Sequence, residues 1–147
     1  YDRPHDLTLS IYSRLPLGIN AGITAFYQSG PPYTPLIFNG RDPQSDIKNP
    51  NSKRQPPFRN VNLLFTKAFK YYGLTVNMGL NIQNVFNIIN ELDVWPLTGT
   101  ADKPGEYYTD KVGLPDAEHD KPSSYYDRPW MYYSPRQMNF YIRIDFK

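Results

Sequence analysis

Hydrophobic and polar residues alternate with a period of two along several stretches of the chain. In the first, Leu7, Leu9, Ile11 and Leu15 fall on one face and Thr8, Ser10, Tyr12 and Arg14 on the other. In the second, Ile19, Ala21, Ile23, Ala25 and Tyr27 oppose Asn20, Gly22, Thr24 and Gln28. Val61–Thr66 is less regular, because Leu64 breaks the polar side. Leu74, Val76, Met78, Leu80 and Ile82 then oppose Thr75, Asn77, Gly79, Asn81 and Gln83. The last stretch sets Phe140, Ile142, Ile144 and Phe146 against Tyr141, Arg143 and Asp145. A period of two is the strand signature, and no segment shows a capped helical period, so the pattern predicts an all-β chain of about five strands.

Strand and connection lengths narrow the class. The second and fourth stretches sustain alternation for roughly 10–12 residues; strands of soluble domains run about 5–6, and a membrane-crossing strand needs about 9–11. Leu15-Pro16-Leu17-Gly18 and Phe69-Lys70-Tyr71-Tyr72-Gly73 predict tight turns, with Gly and Pro as breakers. The other connections, about Ser29 to Phe58 and about Phe86 to Gln137, are long and polar, and they predict irregular loops. Short turns at one end and long loops at the other are the layout of an outer-membrane barrel.

The polar face supports that layout. Asn20, Gly22, Thr24, Thr75, Asn77, Gly79, Asn81 and Gln83 are uncharged, small and amide-rich, as a lumen wall would be, whereas a solvated sheet face carries more Lys and Glu. The opposite face would then meet lipid. Tyr12, Tyr27, Phe69, Tyr71, Tyr72, Phe86, Trp130, Tyr132 and Tyr133 lie near predicted strand ends, the position of an interfacial aromatic girdle. Tyr1-Asp2-Arg3-Pro4 recurs as Tyr126-Asp127-Arg128-Pro129, and Pro57-Phe58-Arg59 is related; each precedes a strand leaving the long-loop end.

Composition excludes several classes. The 147 residues are 39% hydrophobic, with mean hydropathy −0.62, a thin supply for an independent core. Lys and Arg number 16 against 14 Asp and Glu, a net charge of +2 that offers no polyanion-seeking surface, so no nucleic-acid partner is expected. The absence of Cys excludes a disulfide scaffold, a thiol nucleophile and thiolate metal sites. No apolar run reaches the length of a transmembrane helix. The chain opens on Tyr1 in mid-pattern, which suggests a piece of a larger protein.

No catalytic constellation emerges. Asp116-Ala117-Glu118-His119-Asp120 is dense in ligand-type side chains but has no metal-motif spacing, and a solvated loop is the simpler reading, as it is for Asp102 and Asp110. His5 and Asp6 read as interface polar residues. No G-x-S-x-G elbow and no phosphate-binding Gly loop occurs. The sequence therefore predicts no enzyme, no cofactor and no metal site.

Five motifs in order resemble the C-terminal end of a TonB-dependent outer-membrane receptor. Ser29-Gly30-Pro31-Pro32-Tyr33-Thr34-Pro35 resembles the start of a loop after an upward strand. Pro57-Phe58-Arg59-Asn60-Val61-Asn62-Leu63 with Lys67-Ala68-Phe69 resembles the antepenultimate strand. Asn81-Ile82-Gln83-Asn84-Val85-Phe86-Asn87 resembles the Asn-Leu-Phe-Asn signature of the penultimate strand, and Trp130 with Ser134-Pro135-Arg136 the approach to the last. Phe140, Ile142, Ile144 and Phe146 resemble the strand that signals to the barrel-assembly machinery; Lys147 displaces the terminal aromatic by one.

The resemblance implies an antiparallel transmembrane β-barrel of which residues 1–147 are an incomplete C-terminal part, with short turns in the periplasm and long loops outside the cell. The plug and earlier strands would lie elsewhere. It implies a receptor in the outer membrane of a Gram-negative-type bacterium that imports an iron chelate, cobamide or glycan. Its partners would be outer-membrane lipid, the rest of the barrel and plug, the assembly machinery, and the TonB energy-coupling complex through the absent N-terminal part. Tyr33, Tyr107, Tyr108, Tyr125, Tyr126 and Trp130 are the candidate ligand contacts. The alternatives are a barrel component of an outer-membrane assembly without transport, and a soluble β-sandwich that binds sugars through its aromatics.

Overall fold

The computed structural model describes residues 2–38, 42–114 and 128–146, so His119 and its neighbouring carboxylates, Tyr125, Tyr126 and Lys147 lie outside the described residues. The fold is all-β and mostly antiparallel. Its strands are β1 (Asp6–Arg14), β2 (Ile19–Gln28), β3 (Pro32–Tyr33), β4 (Leu36–Phe38), β5 (Pro43–Ser45), β6 (Lys53–Arg54), β7 (Phe58–Tyr71), β8 (Leu74–Gln83) and β9 (Gln137–Phe146). Five of them form one open sheet in the order β1-β2-β7-β8-β9, with β1 and β9 as edges. The described residues include no helix long and apolar enough to cross a membrane.

The alternating stretches become the sheet, with two changes. The third stretch is longer than its six-residue pattern: β7 has 14 residues and runs through Leu64 to Tyr71. The connection to β8 is correspondingly shorter. Tyr71 pairs with Leu74, which leaves only Tyr72 and Gly73 as the turn. Both have positive φ, 43° and 83°, the arrangement of a type I′ hairpin whose twist matches the strands it joins.

Register places the apolar residues in rows. Leu80 lies between Phe65 and Phe140, Met78 between Lys67 and Ile142, and Val76 between Phe69 and Ile144. The other face carries Thr66, Gly79 and Tyr141 in one row and Leu64, Asn81 and Asn139 in another. Here Asn77 donates to Asp145 at 2.8 Å, and Arg143 pairs with Asp145 at 3.3 Å.

Two glycines on the polar face lie under tyrosine rings. A Cβ on Gly79 would stand 2.3 Å from the Tyr141 ring, and one on Gly22 2.6 Å from the Tyr12 ring. Each edge strand thus lays a tyrosine across its inner neighbour, shielding backbone that the glycine leaves bare. Tyr12 thus lies across Gly22 on the polar face, two residues before the end of β1.

The Asn84-Val85-Phe86-Asn87 motif ends β8 by a specific mechanism. Asn84 and Asn87 have φ of 52° and 51°, and Asn is among the few residues that tolerate this region. The buried Asn84 side chain donates to the Ile88 carbonyl at 2.9 Å and accepts from the Ile88 amide at 2.8 Å. Asn62 holds the Asn84 amide at 3.1 Å, and Asn87 accepts from the Arg136 amide, just before β9, at 2.9 Å. These bonds turn the chain out of the ladder without leaving the turn's polar groups idle.

The chain divides into two compact units. One comprises Leu7–Tyr27, Arg59–Ile88 and Ser134–Lys147, the five-stranded sheet with its short turns. The other comprises Tyr1–Asp6, Gln28–Phe58 and Ile89–Tyr133, the segments expected to be irregular loops. Among the described residues they are regular in part. β3 pairs with β6, β4 pairs with β5, and Tyr107–Lys111 form a short π-type turn. This unit, not the sheet, holds the buried hydrophobic core: Val94, Ala101, Met131 and Tyr132.

Candidate functional site

The loop unit is built around a backbone frame. Glu91 bridges to Tyr132, the Leu92 amide donates to the Met131 carbonyl at 2.8 Å, and the Tyr133 amide donates to the Asn90 carbonyl at 2.9 Å. Ala101, fully buried, packs with Met131 and Tyr132 against Ile89 and Trp95. The Glu91 carboxylate accepts the Ala101 amide at 3.0 Å in this interior, a charge-assisted bond that satisfies a buried donor. Tyr132 is 5% exposed, so it is a core residue and not part of an aromatic girdle. Tyr133 instead packs on Phe58, with ring centroids 4.8 Å apart.

Trp95 links this frame to the surface. Its indole N–H donates to the Ala101 carbonyl at 3.2 Å. A turn follows, closed by the Gly99 amide on the Trp95 carbonyl at 2.7 Å, with Gly99 at φ 83°. The Arg128 guanidinium lies 5.8 Å from the Trp95 ring centre and donates to the Asp102 carbonyl at 2.7 Å. Arg128 is itself buried.

From Trp95 the aromatic rings continue in a row. Tyr108 lies 5.2 Å away at 44°, Tyr107 lies 5.4 Å from Tyr108 at 87°, and Phe38 lies 6.2 Å from Tyr107 at 62°. These separations and tilts are those of favourable edge and offset ring contacts. The Tyr107 hydroxyl donates to Asp42 at 3.2 Å. Its pKa is raised above the ordinary tyrosine value, first by desolvation and then by the Asp42 charge, the Asp42 hydrogen bond and Tyr108. The phenol accordingly stays protonated and keeps donating.

The row offers ring faces and edges with a hydroxyl and a carboxylate at one end. Such a surface can stack on a flat or sugar-like ligand and fix its orientation through hydrogen bonds. No cluster of three or more His, Asp or Glu able to hold a metal ion occurs among the described residues.

The expected contacts fare differently. Tyr107 and Tyr108 are adjacent members of the row. Tyr33 lies close to it but outside: its hydroxyl abuts Gly99, and burial raises its pKa. Trp130, 65% exposed on the turn Pro129–Met131, is not in ring contact with the row. Tyr125 and Tyr126 lie outside the described residues. Phe38, Asp42, Trp95 and Arg128 carry no signal in the sequence, because no local period marks side chains that meet from distant parts of the chain, as Tyr107 and Asp42 do. Phe140, Ile142, Ile144 and Phe146 share one face of the edge strand β9, opposite Leu80, Met78, Val76 and Leu74.

The repeated Asp-Arg-Pro motif does not repeat its contacts. Arg3 donates to the Gln28 side chain at 2.7 Å, whereas Arg128 holds a backbone carbonyl beneath Trp95. Comparison of the chain with protein-family models, with curated proteins and with solved structures gives no match.

Proposed function

We propose that the chain is part of the wall and loops of an outer-membrane receptor barrel that imports a scarce nutrient, with the ligand contact supplied by the loop unit. The observation that carries this reading is the uncovered apolar face of the sheet. Leu7, Leu9 and Ile11 of β1, and Met138, Phe140, Ile142, Ile144 and Phe146 of β9, are all exposed. Inner strands contribute Ile23 and Phe69, also exposed. A contiguous apolar surface of this kind marks a membrane or partner contact.

Dimensions agree with a bilayer. β8 has 10 residues; at about 3.4 Å each and a tilt near 45° it would rise about 24 Å, close to the ~25 Å apolar band of outer-membrane barrels. The open edges of β1 and β9 call for further strands, since lipid cannot satisfy their backbone groups. A β-sandwich would cover the apolar face with a second sheet, and the strands outside the main sheet are only two or three residues long. The aromatic row of Trp95, Tyr108, Tyr107 and Phe38 then supplies the ligand contact.

Fractionation tests the reading. The intact protein should stay with the membrane pellet through high-salt and carbonate washes and be released by detergent. Recovery in the aqueous wash would overturn it.

A further inference from the structure

Lys67 stands alone on the apolar face. It lies in β7 with Phe65 and Phe69 two residues to either side, and its register partner on β8 is Met78, beyond which lies Ile142 of β9. Val76 and Leu80 complete the β8 surroundings. The residues that share this face on β2, from Ile19 to Tyr27, are neutral, as are Leu7, Leu9, Ile11 and Ser13 on β1. No carboxylate on the described part of this face is available to pair with the ammonium. Arg59, the other cation at an odd position of β7, is at the strand's far end.

A bare ammonium on a surface exposed to hydrocarbon is costly, and the cost falls with proximity to the headgroups. Lys67 precedes the end of β7 by four residues, about 13 Å along the strand and about 9 Å along the normal at a 45° tilt. Its four-carbon stem can lie along Phe69 and carry the charge toward the short-turn edge. That edge presents Phe69 and, in the turn, Tyr72, which is 89% exposed. An aromatic ring beside a snorkelling lysine is the usual composition of a membrane–water boundary.

We propose that Lys67, with Phe69 next to it on the same face of β7, binds the phosphate of an anionic glycerophospholipid in the leaflet at the short-turn side. The proposal rests on the barrel reading. The ligand is chosen by charge: one unpaired cation on a neutral, apolar face fits one anionic headgroup whose acyl chains run inward over Met78, Leu80 and Ile142. Phosphatidylglycerol supplies that chemistry. The phosphates of a lipopolysaccharide would supply it from the opposite leaflet and would require the charge to run away from the nearer edge.

The test uses the intact protein in detergent, as wild type, Lys67→Met, Lys67→Gln and Lys67→Arg. Each is equilibrated with mixed micelles of phosphatidylcholine and phosphatidylglycerol, and retained lipid is counted by native mass spectrometry. Wild type and Lys67→Arg should retain phosphatidylglycerol. Lys67→Met and Lys67→Gln should retain about fivefold less, the effect of one interfacial cation, while reaching the outer membrane in normal amounts. Equal retention in wild type and both neutral variants would overturn the lipid site and leave the barrel reading standing. So would Lys67-dependent retention of added lipopolysaccharide in preference to phosphatidylglycerol. A protein that partitions into water would overturn both.

Discussion

The sheet and the loop unit treat apolar side chains in opposite ways. In the sheet, Ile11 and Ile142 remain 57% and 55% exposed although they lie within regular strands. In the loop unit, Ala101 and Met131 are 0% and 6% exposed although neither lies in a strand. The buried positions within the sheet strands, among the described residues, are Gly22 and Gly79, both under tyrosine rings. Regular alternation has produced a face, while irregular segments have produced a core. The low mean hydropathy is thus unevenly shared: the loop unit buries apolar side chains, and the sheet leaves its own exposed.

The comparison can be broken most forcefully in the core of the loop unit. Met131→Ala should cost about 2–5 kcal/mol, as for other buried Met truncations. The loss should fall on the loop unit, seen as faster amide exchange at Gly99 and Ala101 with β8 unchanged. Equal acceleration in β8 would mean that the two regions do not stand apart as described.

A smaller effect should separate the two faces of the sheet. Met78→Asp places a carboxylate on the apolar face, at a cost of up to about 2–4 kcal/mol near a bilayer midplane and less for an acid than for Lys or Arg. Asn77 would be a poor control, because its side chain donates to Asp145 and an Asp there would add like-charge repulsion. Asn81, between Leu64 and Asn139, is cleaner. Asn81→Asp should leave outer-membrane levels near normal while Met78→Asp lowers them. Indistinguishable levels would remove the distinction between the faces.

The smallest effect concerns the glycines. Gly79→Ala should cost about 1 kcal/mol or less, because the Cβ meets only the far end of a tyrosine ring that can swing aside. Combined with Tyr141→Ala, the cost of Gly79→Ala should vanish. Additive denaturation losses would show that Tyr141 is not what the Cβ meets.

How much of this was legible follows from the physics of each element. β2 and β8 could be read to the residue, because period two and sharp Gly-containing boundaries are local signals. β7 was cut short at Thr66 because Leu64 and Lys67 interrupt the binary pattern, while backbone pairing to β8 tolerates both. The loop core was invisible for another reason. Glu91 meets Ala101 through a side-chain bond and Leu92 meets Met131 from far along the chain, and no spacing announces either. Tyr107 and Tyr108 could be suspected from aromatic density alone. Their partners Trp95, Phe38 and Asp42 required the folded chain, and the girdle assignment of Tyr132 failed because density does not tell a buried ring from an interfacial one.

The central claim is that one face of the sheet meets lipid and the other does not. The 147 residues contain no Cys, so single cysteines at Thr75, Val76, Asn77, Met78, Leu80 and Asn81 can each carry a spin label in the intact protein reconstituted in bilayers, with any cysteine elsewhere in it replaced by serine. Collision with dissolved oxygen and with a water-soluble nickel chelate should alternate with a period of two. Positions 76, 78 and 80 should favour oxygen, and positions 75, 77 and 81 should exclude it. Equal access to the nickel chelate at both sets would contradict the account.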